Sequence, residues 1–215
     1  MIKAVLFDLD GVLVSTDEYH YHSWKKLSAE EGFDFFDHEF NHKFRGVARL
    51  ECVEIITKAS GKHYTKEQKL ELAERKNRYF VESLANVTAE VLLPGSLAML
   101  RDLKNRNIKT AVASNSRNAM TIIKQVDIEH LLDTIVDGYQ IENSKPDPEV
   151  FLLAAKNVGV QPDYCLVVED AVAGIESARR AGMKALGIGT KERLPNAEIV
   201  IPDLSAISID SLLNL

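Results

Sequence analysis

The chain reads as an α/β protein, a doubly wound, Rossmann-like parallel-sheet core with a helical cap domain inserted after its first strand. Three observations predict this. Short, continuous apolar runs recur along the chain, helical patterns separate them from residue 92 onward, and one long charged, strand-poor stretch interrupts the series after the first run. Runs of this kind mark strands buried on both faces, and their alternation with helices builds a parallel sheet through right-handed crossovers.

Residues 3–7 supply the first apolar run, ending at Asp8. The stretch from about Ser15 to Val91 is helical in pattern, as in the charged segment 66–76, so the expected division is 1–14 with 92–215 for the core and 15–91 for the cap. Pro94-Gly95-Ser96 opens a helix with Leu97, Leu100 and Leu103 on one face; the second strand follows at 109–113. A helix after Asn115-Ser116 aligns Met120, Ile123 and Val126, and the third strand is 134–136. After Pro146, Asp147 caps a helix that turns Phe151, Ala154, Ala155 and Val158 inward. The fourth and fifth strands are 165–168 and 184–187, joined by a helix over about 171–181 that stops at Gly182, a residue suited to the left-handed position after a helix end.

Bulk composition narrows the function classes. The 215 residues are 46% hydrophobic and 27% charged, ordinary for a globular chain large enough to bury a core, with no internal repeat or low-complexity segment. A net charge of -6 weighs against a nucleic-acid backbone as partner. Cys52 and Cys165 stand far apart without a CxxC pairing and read as thiols in a reducing compartment. The apolar run 4–14 is broken by Asp8 and Asp10, which disqualifies it as a signal-peptide core, and no stretch approaches bilayer-spanning length. A cytoplasmic, membrane-free protein is expected.

Open α/β sheets bind ligands beyond the carboxyl ends of their strands, so function is read there. After the first run come Asp8-Leu9-Asp10-Gly11, two carboxylates one residue apart on a turn that Gly11 permits. After the second come Ser114-Asn115-Ser116-Arg117, a hydroxyl and backbone N–H groups at a helix start, an arrangement that takes anions. Ser144-Lys145-Pro146 places a lysine before a rigid helix start, and Glu169-Asp170 closes the fourth run. Taken singly, each set has a plain structural explanation: an Asp-rich turn, an N-cap, a solvated lysine, a surface loop. Together they bring four carboxylates to one crevice. Each like-charge pair at ~4 Å costs about 4 kcal/mol at an effective dielectric near 20, so a cation is expected among Asp8, Asp10, Glu169 and Asp170. All-oxygen ligands beside phosphate chemistry point to Mg²⁺, and Lys145 with Ser114 would clamp a phosphoryl group.

These four ordered sets resemble the motifs of the haloacid dehalogenase superfamily, and the inserted segment resembles its helical cap. Further residues are similar to the β-phosphoglucomutase family within it: Thr16-Asp17-Glu18-Tyr19-His20 with Trp24, Gly46-Val47 and Arg49, Arg75-Lys76-Asn77, Lys145 to Pro148, and Glu169 to Gly174. Asn115 and Arg117 depart from that pattern, which has a small residue and a lysine there. The resemblance implies that Asp8 is the nucleophile and forms an aspartyl phosphate, with Asp10 as general acid and base. It implies that Mg²⁺ is held by Asp8, Asp170 and the Asp10 carbonyl, with Glu169 as a ligand or behind one. It places Ser116, Arg117 and Asn118 at the substrate with Gly46, Val47, His20, Trp24 and Lys76. Arg49 would grip the non-transferring phosphate as the cap closes, and His20 would couple to Asp10. The reaction implied interconverts β-glucose 1-phosphate and glucose 6-phosphate, primed by β-glucose 1,6-bisphosphate, in a monomer that binds only small sugar phosphates. A phosphatase of the same superfamily would use the same core residues; a non-catalytic sensor would have no use for the acid pair. His38 and His42 have zinc-compatible spacing, but no third ligand accompanies them.

Overall fold

The computed structural model describes residues 1–44 and 47–215, and the chain separates into two compact units, one of residues 1–15 with 88–215 and one of residues 16–87. The first unit begins with strand β1 (Ala4–Phe7), every residue of which is buried, followed by a tight loop in which Leu13 and Val14 donate backbone N–H groups to Leu9. Val14 then bridges Leu92, and Ser15 N–H donates to Val91. These bonds tie the two chain crossings to the core, so the second crossing falls at 87/88, four residues before the expected 91/92.

The unit of residues 16–87 holds helices α1 (Asp17–Glu31), α2 (His38–Asn41), α3 (Arg49–Ser60) and α4 (Lys66–Leu84). Thr65 opens α4 with a reciprocal capping box: its hydroxyl accepts from Gln68 N–H while the Gln68 side chain accepts from Thr65 N–H. Trp24, Leu27, Phe33, Phe36, Phe44, Val53, Ile56 and Leu72 form its separate hydrophobic core. On its surface Arg75 pairs with Glu30, Glu31 and Glu71, while Tyr64 and Tyr79 donate to Glu31 and Glu30, lacing α1 to α4.

The first unit resumes with α5 (Ser96–Asn105), β2 (Lys109–Ala113), α6 (Ala119–Gln125), β3 (Thr134–Val136), α7 (Glu149–Val158), β4 (Cys165–Glu169), α8 (Val172–Arg180), β5 (Lys184–Ile188), β6 (Ile199–Ile201) and α9 (Ile209–Leu213). All six strands are parallel in the order β3-β2-β1-β4-β5-β6. The sixth goes beyond the five that the sequence predicts: it is a three-residue, part-exposed edge strand that follows β5 without an intervening helix. Order reverses at β1, which pairs with β2 on one side and β4 on the other, so the switch point lies between the ends of β1 and β4. Among the described residues no helix is long and apolar enough to cross a membrane.

Candidate active site

Asp8 is the first residue past β1, and its N–H donates to Val168 O at 2.9 Å, which fixes the loop against the end of β4. Gly11, with φ 83°, turns this loop so closely that a Cβ there would lie 2.4 Å from Asp170 Oδ2. The adjacent strand ends therefore press the Asp8–Gly11 turn and Asp170 together.

Lys145 joins them. Its Nζ donates to Asp8 Oδ1 at 2.5 Å and to Glu169 Oε1 at 2.9 Å; the lysine and Glu169 side chains are only 5% and 2% exposed. The other Glu169 oxygen accepts from Ala171 N–H at 2.6 Å. Burial pushes the Asp8 carboxyl up to about 8 against the pull of Lys145, with Glu169 and Asp170 adding to the rise. Asp170 is pushed up to about 7 by burial and Glu169, with Arg193 pulling down and Asp10 adding to the rise. Burial alone would lower the lysine, yet Asp8 and Glu169 raise it, so Lys145 is an ammonium throughout the working range.

The four acids do not make a ready cage of side chains: among the described residues no three His, Cys, Asp or Glu groups stand together as a metal site. Glu169 has both of its oxygens committed, one to Lys145 and the other to Ala171. What remains is Asp8, Asp170 and the loop at Asp10. This set fits Mg²⁺, which binds through one or two carboxylates and keeps several waters. Its hard oxygen donors, buried first of all and close to neighbouring acids, suit such an ion.

Ser114 follows β2 and is buried; its hydroxyl accepts from Ser116 N–H at 3.1 Å, and Ser116 Oγ accepts from Asn118 N–H at 3.2 Å, winding the start of α6. Asn115 knits neighbouring loops in a way that its residue type alone does not announce: its Oδ1 accepts from Lys145 N–H at 3.2 Å, and a Cβ on Gly138 would meet its carbonyl at 2.3 Å. Arg117 is exposed, donates from Nε to Gly138 O at 3.4 Å and lies 5.3 Å from the Tyr139 ring centroid.

In the helical unit a second set assembles. Lys76 is 3% exposed, and its Nζ stands 2.6 Å from His20 Nδ1. An ammonium only donates, so Nδ1 accepts and the imidazole proton resides on Nε2. Burial, then Lys76 and Arg49, hold His20 well below its ordinary range, so it is neutral. His20 stacks on Phe80 at 3.9 Å, a contact with no signal in the sequence. Trp24 is buried in the core of the unit against Phe44, with Lys76 5.2 Å from its ring. Arg49 begins α3 and pairs with Glu74 at 3.7 Å; Val47 lies just before it, and Gly46 lies outside the described residues. His38 stacks on Tyr21 at 3.6 Å, and His42 opens the short turn 42–44.

A model of the haloacid dehalogenase-like hydrolases matches residues 2–182. The chain belongs to that family. It is 39% identical over 213 residues to the β-phosphoglucomutase of Bacillus subtilis, covering 98% of this chain and 94% of that protein. It is 30% identical to a phosphorylated carbohydrates phosphatase of Thermotoga maritima, over 86% and 84%. The crystal structure of β-phosphoglucomutase from Clostridium difficile matches with a TM-score of 0.90 at 36% identity, covering 100% of this chain and 96% of that one.

Within this haloacid dehalogenase-like core, Gly174 gives a local test. A Cβ there would fall 1.8 Å from Glu169 Oε1. Helix propensity alone predicts that Gly174→Ala in α8 stabilises by about 1 kcal/mol. The overlap with a carboxylate pinned by Lys145 and Ala171 predicts the opposite, a net loss of about 2 kcal/mol. Urea unfolding gives the sign; a more stable variant would show that Glu169 swings aside freely.

Proposed function

We propose that the chain is a β-phosphoglucomutase, interconverting β-D-glucose 1-phosphate and glucose 6-phosphate through an aspartyl-phosphate enzyme and β-glucose 1,6-bisphosphate. The observation that carries the catalytic half is the buried Asp8–Lys145–Glu169 chain at the switch point of the sheet. A buried ammonium there pulls the Asp8 carboxyl toward its ionised, nucleophilic form beside Asp170 and offsets charge as phosphoryl oxygens approach. The near-full-length similarity to β-phosphoglucomutases supports the choice of substrate.

In the first half-reaction an Asp8 oxygen attacks phosphorus, the bond from phosphorus to the sugar oxygen breaks, and Asp10 gives that oxygen its proton. In the second, the other sugar hydroxyl loses its proton to Asp10, attacks the aspartyl phosphate and frees Asp8. Asp8, Asp170 and the Asp10 carbonyl would hold Mg²⁺, which neutralises charge on the transferring group; Glu169 orients Lys145 from behind. Ser114, Ser116, Arg117 and Asn118 bind the phosphoryl and sugar oxygens. Arg49 would grip the non-transferring phosphate, with Lys76, neutral His20, Val47 and Trp24 as the other substrate-binding residues of the helical unit. The Arg49 and Lys76 cations suit a doubly phosphorylated intermediate, which has a second phosphate to grip.

A sugar-phosphate phosphatase is the second reading, favoured by the similarity to the T. maritima phosphatase. One assay separates the two. With Mg²⁺ and a trace of glucose 1,6-bisphosphate, β-glucose 1-phosphate should yield glucose 6-phosphate in large excess over inorganic phosphate, and the α anomer should react poorly. Phosphate as the main product would replace the mutase reading with the phosphatase one.

A further inference from the structure

The loop after β5 brings to the site a positive charge that none of the strand-end motifs contains. Gly189 turns the chain as its N–H donates to Ile201 O at 2.8 Å, and the N–H groups of Arg193 and Leu194 both donate to Thr190 O at 3.1 Å. Leu194 is 1% exposed and fills the space over Gly187, where a Cβ would meet its Cδ1 at 2.8 Å. This buried anchor carries its neighbour to the end of β4. Arg193 Nη2 donates to Asp170 O at 3.3 Å and stands 3.8 Å from Asp170 Oδ2.

We propose that Arg193 is a positioning residue that serves as the resident counter-cation of Asp170 and thereby sets the affinity of the site for its divalent ion. The inference rests on the reading of Asp170 as a Mg²⁺ ligand. Asp170 sits among Asp8, Asp10 and Glu169, and Lys145 is engaged with Asp8 and Glu169. A guanidinium within 4 Å of a ligating oxygen offsets that oxygen's charge while the ion is away and repels the ion when it arrives. The Arg193 side chain is 48% exposed, so water screens much of the repulsion, and the effect is several-fold rather than many decades.

The test is calorimetric titration of the full-length protein with MgCl₂. Arg193→Gln keeps a donor for the Asp170 carbonyl but removes the charge, and should bind Mg²⁺ about three- to tenfold more tightly than wild type. Arg193→Lys keeps the charge and should stay within about twofold of wild type. Affinity in Arg193→Gln that is weaker, or tighter by less than about twofold, overturns the inference, as does Arg193→Lys moving with Arg193→Gln. Asp170→Asn separates the two levels. If it binds Mg²⁺ as wild type does, or wild type binds none, the metal reading falls first and the inference with it. If Asp170→Asn loses the ion while wild type and both Arg193 variants bind it, the metal reading stands and the affinities of those variants alone decide the role of Arg193.

Discussion

Asp8→Asn should lose at least about four orders of magnitude in turnover and accumulate no phosphoenzyme, while melting at a higher temperature than wild type in metal-free buffer at pH 8. The first half follows because an amide cannot form the acyl phosphate; the residual rate is what binding and the remaining charges supply. The second follows from the raised carboxyl. An acid held at about 8 in the folded protein, against an ordinary 3.8, keeps its proton there while the unfolded chain has released it. Stability from this group is therefore lost as pH rises from near 4 to near 8, and at pH 8 the folded protein bears the cost of an ionised, buried Asp8. Asparagine has no proton to lose and still offers an oxygen to Lys145. The gain in melting temperature should shrink at pH 5. Measured by rapid-quench labelling and thermal melts at the two pH values, a variant that turns over normally, or melts lower at pH 8, contradicts this account.

Lys145→Met should be the most destabilising single change at the site, costing about 3 kcal/mol at pH 8 in the metal-free protein and lowering phosphoryl transfer by about 10²–10³-fold. Methionine fills the channel over Phe151, whose ring lies 4.7 Å from Nζ, so the loss is one of charge more than of volume. Without the ammonium, the buried side chains of Asp8 and Glu169 lose the charge that both of them contact. Lys145 is raised above its ordinary value, so its stabilisation is fully present below about pH 10 and the wild type keeps it across the neutral range. Lys145 pulls the Asp8 carboxyl down to about 8, so without it Asp8 keeps its proton to higher pH and the deficit should widen from pH 5 to pH 9. Chemical denaturation at those two pH values reads both; a pH-independent deficit would mean that packing, not charge, governs the change.

Most of the architecture is legible in the residues because parallel strands buried on both faces leave continuous apolar runs alternating with helices. Ile199–Ile201 is apolar too, but it follows β5 through a loop with no helix between them, so the alternation does not announce it. The acids of the site are legible for the same reason: Asp8 and Glu169 end apolar runs, where ionisable residues are conspicuous. Their division of labour is not. That Glu169 turns from a shared cation site toward Lys145 and Ala171 depends on Gly174 leaving room, a packing fact invisible in a motif. Arg193 carries no signal at all, because a loop arginine looks the same whether it faces water or a carboxylate. Asn115 stands out in the sequence only as a departure from pattern; its bond to Lys145 N–H gives that departure a structural use.

The placement of β1 in the middle of the sheet has a consequence for how the protein is made. Ala4 pairs with Lys109 on one side and Cys165 on the other, so this strand waits for partners made far later in the chain. The helical unit of residues 16–87 is contiguous and has all its residues long before then. Synthesis therefore leaves β1 an unpaired ribbon, and the loop that carries Asp8 is not fixed against Val168 until residues 165–168 have emerged.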